Sequence, residues 1–103
     1  MGVQYKTVMM KPSDNVAIAL MDLPKGAVVP VVCEGHQQEV QLVQDIRFGH
    51  KFAVKPIEAG AEILKYGEII GRASSEISMG EHVHVHNLEG IRGRGDKVES
   101  RVQ

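Results

Sequence analysis

The chain has 103 residues, enough for one domain with a core of its own, and its 12 Lys and Arg against 13 Asp and Glu leave a formal charge of -1. That balance, with no Trp and only two Phe and two Tyr, excludes the basic, aromatic-lined surfaces that grip nucleic acid. No stretch approaches the roughly 18 consecutive apolar residues of a membrane span, and no cationic N-terminus leads into an apolar run, so a soluble cytoplasmic protein is expected.

The apolar 43% is rich in Val and Ile, which favour strands. In chain order, short apolar clusters at 5–10, 16–20, 28–33, 40–43, 52–54, 69–70 and 83–85 predict strands, with a first turn at Pro12, Ser13, Asp14 and Asn15. No window keeps a helical apolar period for three turns without a Gly or Pro, so the expected class is all-β. The single cysteine, Cys33 in Val31-Val32-Cys33, has no partner for a disulfide or a zinc site and reads as a small buried apolar residue in a reducing compartment.

One spacing recurs: an aliphatic residue, Gly three positions on, and a large apolar residue three beyond that. It occurs at Leu23-Gly26-Val29, Ile46-Gly49-Phe52, Ile57-Gly60-Ile63 and Ile77-Gly80-Val83. A glycine in that slot reaches positive φ cheaply, so each copy predicts a tight reversal between two buried anchors. From 89 to 103 glycines alternate with charges, which predicts a flexible tail or linker after a domain spanning 1–88.

Two constellations offer chemistry. On a strand, Glu81-His82-Val83-His84-Val85-His86 puts His82, His84 and His86 on one face and the two valines on the core face. Histidines two residues apart on a strand have Cα atoms about 6.5–7 Å apart, so two imidazoles can converge on one metal ion, with His50, Glu81 or Glu68 as a third ligand. Equally, a solvated histidine face titrating near pH 6.5 would serve as acid, base or anion contact. The second is Lys65-Tyr66-Gly67-Glu68, where an ammonium, a phenol and a carboxylate flank a flexible glycine. It could hold a carboxylate and steer a proton, or be a solvated turn. No phosphate loop, dinucleotide fingerprint, nucleophile elbow or HExxH is found.

The blocks Gly49-His50-Lys51-Phe52-Ala53, Ile57-Glu58-Ala59-Gly60, Lys65-Tyr66-Gly67-Glu68-Ile69-Ile70-Gly71 and Gly80-Glu81-His82-Val83-His84-Val85-His86-Asn87, preceded by Asp14-Asn15-Val16-Ala17, resemble in order those of the altronate/galactarate dehydratase N-terminal SAF domain. The resemblance implies a β-clip fold and a part in dehydrating a sugar acid such as D-altronate to a 2-keto-3-deoxy acid, with Fe²⁺ or Mn²⁺ as cofactor. It implies metal or catalytic roles for His50, His82, His84 and His86, and substrate contacts for Lys65, Tyr66 and Glu68. Relatives of this kind carry a large catalytic region after the domain, so the expected partner is a large dehydratase subunit or C-terminal catalytic region. A sulfolactate sulfo-lyase small subunit, or a non-catalytic sugar-acid-binding scaffold, are the alternatives, and a homo-oligomer is left open.

Overall fold

The computed structural model describes residues 4–90, and among them there is no helix, hence none long and apolar enough to cross a membrane. Nine strands run β1 (Thr7–Val8), β2 (Val16–Ala19), β3 (Val28–Cys33), β4 (His36–Gln41), β5 (Lys51–Ala53), β6 (Glu62–Lys65), β7 (Glu68–Ala73), β8 (His82–Val83) and β9 (Leu88–Gly90). They form three antiparallel sheets, ordered β1-β2-β5-β8, β3-β4 and β6-β7-β9. The all-β expectation of short strands and glycine turns is met.

The four glycine spacings are the skeleton of the fold. Gly26, Gly49, Gly60 and Gly80 all take φ between 85° and 88°, and the eight flanking anchors from Leu23 to Val83 are at most 3% exposed. The first copy bridges the second through Leu23 and Ile46, and the third bridges the fourth through Ile57 and Ile77. The chain is therefore two similar halves, each a pair of glycine turns enclosing one long hairpin.

Both hairpins reverse through two residues of positive φ, Glu34-Gly35 and Tyr66-Gly67. That is the turn whose twist matches paired strands. The outer half of β4 and all of β6 and β9 carry too few consecutive apolar residues to be read locally; pairing alone makes them strands.

Two apolar clusters result. One gathers Leu23, Val29, Val31, Val40, Leu42, Ile46 and Phe52, and the other Ile57, Ile63, Ile77, Val83 and Ala53. Successive residues of β5 point oppositely, so Phe52 seals the first cluster and Ala53 the second. Cys33 is buried in the first cluster, as expected.

Three expectations are corrected. The predicted strand at 83–85 stops at Val83, because residues 84–87 turn away; Val85 is 81% exposed instead of facing the core. Of the cluster at 40–43 only Val40 and Gln41 are strand, the end of β4, which begins at the exposed His36. Ordered pairing also runs past 88, since Glu89 and Gly90 belong to β9 and face Arg72 and Gly71 of β7. The predicted tail beyond 90 lies outside the described residues.

Candidate functional site

The Gly49 turn delivers the first histidine. Gly49 N–H donates to Ala19 O at 2.8 Å and Ala19 N–H donates to His50 O at 2.9 Å, so β2 clamps the backbone on both sides of the ring. His82 enters from β8, where it lies opposite Phe52 of β5 and its N–H donates to the Gln44 side-chain oxygen at 2.9 Å. His84 begins the turn after β8.

That turn is organised by one buried side chain. Asn87, 2% exposed, donates from Nδ2 to His82 O at 2.9 Å and accepts from His84 N–H on Oδ1 at 3.0 Å. Its own N–H donates to His84 O at 3.1 Å, and its carbonyl accepts from Ser74 N–H at 3.0 Å. Asn87 thereby satisfies every polar group it carries into the core and fixes two histidines through their backbone.

The rings converge. His50 and His84 stack with centroids 4.5 Å apart, His50 and His82 at 5.0 Å, and His82 and His84 at 5.4 Å, all within 15° of parallel. His50 Nδ1 lies 2.9 Å from His82 Nε2, a contact in which one nitrogen donates and the other accepts. Ligand atoms of His50, His82 and His84 all fall within 4.8 Å of one another. The sequence grouped His82, His84 and His86; in space His50 takes the place of His86, whose ring tilts 37° against His82 at 5.3 Å and stays outside the set. The strand argument fails for His86 because the chain turns before reaching it.

The electrostatics favour the neutral form of His82 and His84. Partial burial, then the charge His50 would carry, then His86, His84 and Lys51 push the His82 pKa below its usual value. His84 is lowered by partial burial, then His50, Lys51 and His86. Neutral imidazole is the form that ligates a metal or accepts a proton. A metal bond to histidine is about 2.0–2.1 Å long, so to share one ion these near-parallel rings must turn their nitrogens toward a common centre and give up the His50–His82 contact. The donor set fits a divalent cation of borderline softness and leaves further positions to other ligands.

Glu81, one expected further ligand, is occupied: its carboxylate accepts from Ser78 N–H at 2.8 Å, closing the Gly80 turn. Lys65, Tyr66 and Glu68 sit together at the tip of the β6–β7 hairpin, with Lys65 Nζ 5.1 Å above the Tyr66 ring and Lys65 paired with Glu68. The tip is pinned by Asp14, 1% exposed, whose carboxylate accepts from Lys11 N–H at 3.1 Å, Tyr66 N–H at 2.9 Å and Gly67 N–H at 2.8 Å. The structure thus holds the hairpin tip and the histidine cluster as two separate groups.

Lys51 feels charges from both groups. It is half-buried in β5 beside His50, burial and then the Lys65 charge lower its pKa, and its own charge lowers both His82 and His84. The sequence suggests no site role for Lys51, Asn87 or Gln44, and marks Asp14 only as a turn residue and part of a family-like block. Asp14, Lys51 and Asn87 all stand in the family-like blocks, and Asn87 is the polar residue ending the histidine run.

Residues 5–90 match the altronate/galactarate dehydratase SAF domain. The chain is similar to altronate dehydratase of Escherichia coli (strain K12), 50% identical over 74 residues, covering 72% of this chain and 14% of that enzyme. Altronate dehydratase of Bacillus subtilis (strain 168) is 42% identical over 76 residues, again 14% of its length. The (2R)-sulfolactate sulfo-lyase subunit alpha of Paracoccus pantotrophus is 46% identical over 45 residues, 44% of this chain and 67% of that subunit. The chain therefore spans about one-seventh of the altronate dehydratases it matches, at 14% of each.

Proposed function

Because the chain belongs to the altronate/galactarate dehydratase SAF domain family, we propose that it is the small module of a sugar-acid hydro-lyase, working in the cytoplasm with a large catalytic subunit or region. The observation that carries this is the convergence of His50, His82 and His84 from the Gly49 turn, β8 and the turn after it. Convergent imidazoles, with His82 and His84 biased toward the neutral form, are a group able to bind an ion or move a proton.

In this reading His50, His82 and His84 hold a divalent cation, Fe²⁺ or Mn²⁺. Such an ion supplies Lewis acidity toward the oxygens of a hydroxy acid. Lys65 and Tyr66 meet the substrate carboxylate, with Glu68 beside them. His86, exposed on the turn with its ring 5.3 Å from that of His82, stands beside this set as a further contact for the substrate. Dehydration removes the proton on the carbon next to the carboxylate and breaks the neighbouring C–O bond. The hydroxyl departs with a proton as water, and the resulting enol becomes the 2-keto-3-deoxy acid. Altronate is the acid in the names of the two dehydratases to which the chain is similar.

The test is reconstitution with a large dehydratase polypeptide and an assay of D-altronate dehydration. Turnover should require the small chain and should fall by about two orders of magnitude or more in His84→Ala, the scale of losing a catalytic proton donor or ligand. Unchanged turnover without the chain would refute the proposal. The sulfo-lyase likeness supports a second reading, in which the leaving group is sulfite; turnover of sulfolactate in place of altronate by the same pair would establish it.

A further inference from the structure

The β3–β4 hairpin ends in an open edge. Its two-residue turn makes Cys33 and His36 the closing hydrogen-bonded pair, and bonded pairs alternate from there. His36, Gln38 and Val40 therefore bond inward to β3, while Gln37, Glu39 and Gln41 turn their backbone N–H and C=O outward. Pro30, opposite Glu39, obeys the same alternation: lacking an N–H, it is tolerated where β3 itself faces outward.

The end of that edge is covered. Val43 N–H donates to Gly80 O at 3.1 Å, and Gly80 packs on Gln41 O so closely that a Cβ would not fit. Gln37 and Glu39 have no such cover among the described residues, so four backbone groups face solvent in a row. β7, the corresponding strand of the second half, carries β9 along its outer side, and its hairpin has a register shift at Ile63/Leu64. β4 is six residues long, with one charged side chain and no Lys, Pro or bulge, the devices that normally guard an edge.

We propose that β4 is a dimerisation edge, onto which a second copy of this chain adds its own β4, antiparallel about a two-fold axis. With Gln38 facing Gln38 on the axis, Gln37 of each copy lies opposite Glu39 of the other. Each such pair exchanges two backbone hydrogen bonds, which uses all four open groups of each chain. The side chains agree with this register. The lone carboxylate of Glu39 meets the carboxamide of Gln37, His36 lies opposite Val40, and no like charges face each other. An edge ladder this short buries far less than the roughly 1,200 Å² of a stable interface, so the association is weak and concentration-dependent.

Sedimentation equilibrium of the full chain from micromolar to millimolar concentration tests it. The expected result is a shift from the 11.3 kDa monomer toward twice that mass. Gln37→Pro removes an outward N–H while leaving the β3–β4 ladder whole, and Gln38→Lys sets two ammonium groups on the axis; both should stay monomeric while melting cooperatively. Should Gln37→Pro fail to fold, Gln38→Lys alone decides. A monomer at every concentration overturns the proposal, as does a dimer that survives these substitutions or is lost on deleting 91–103.

Discussion

His50 Nδ1 and His82 Nε2 lie 2.9 Å apart across a sequence separation of 32 residues. One of the two nitrogens must be unprotonated, so the contact is broken when both rings are charged. With His84 stacked on His50 at 4.5 Å, acid would place several positive rings in one half-buried cluster.

Stability should therefore fall with acid. His82 and His84 have folded pKa values below the 6.5 of the free side chain. The unfolded chain then binds more protons in the interval between the two values, and stability rises with pH there. The contribution is complete above pH 6.5 and is lost as pH drops through the lowered folded values. Melting temperature should decline on acidification below that point in metal-free protein, and His82→Gln should flatten the decline. An equally steep profile in the variant would contradict the assignment.

Metal titration separates the spatial set from the linear one. His50→Ala should weaken Co²⁺ binding by about tenfold or more, as expected for loss of a ligand or its immediate support, with the visible absorption of the bound ion altered. His86→Ala should leave that spectrum nearly intact. Equal losses in both would return His86 to the ligand set.

Asn87 is the residue through which fold and site are coupled. Asn87→Ala strips the partners from His82 O and His84 N–H, and burying them unpaired should cost about 1–3 kcal/mol. Co²⁺ affinity should fall as well, since the turn carrying His84 loses its brace. Urea unfolding gives the first quantity and the cobalt titration the second.

Three glycines separate backbone strain from close contact. Gly26 has φ 88° with open space around it, Gly71 has ordinary φ but lies against Glu89 O, and Gly80 has both φ 86° and Gln41 O beside it. Gly26→Ala should cost about 1–2 kcal/mol, the left-handed penalty alone. Gly80→Ala should cost more than Gly26→Ala, because the Gln41 backbone must also move. Denaturant midpoints for the two variants test that order.

Asp14→Ala should loosen the hairpin tip selectively. It orphans the N–H groups of Lys11, Tyr66 and Gly67, so the amide of Gly67 should exchange faster with solvent while core amides such as Phe52 keep their protection relative to the lowered global stability. Uniform acceleration would mean that Asp14 serves the whole fold rather than the tip.

The sequence alone determined what depends on local conformation. A glycine three residues from each of two apolar anchors dictates a tight reversal wherever it falls, and all four copies behave alike. Short Val- and Ile-rich clusters likewise suffice for β2, β3 and the start of the core. Tertiary structure decided what depends on pairing: that Leu23 meets Ile46 and Ile57 meets Ile77, that polar β4 is a strand at all, and that the charge of Lys51 acts on His82 and His84. It also rewrote the histidine run, because an alternating pattern describes a strand only while the chain stays extended. Asn87 captures the His84 backbone and turns it, exposing Val85 and exchanging His86 for a histidine 32 residues from His82. Alternation is a local property, whereas which rings meet is set by the packing that brings the Gly49 turn beside β8.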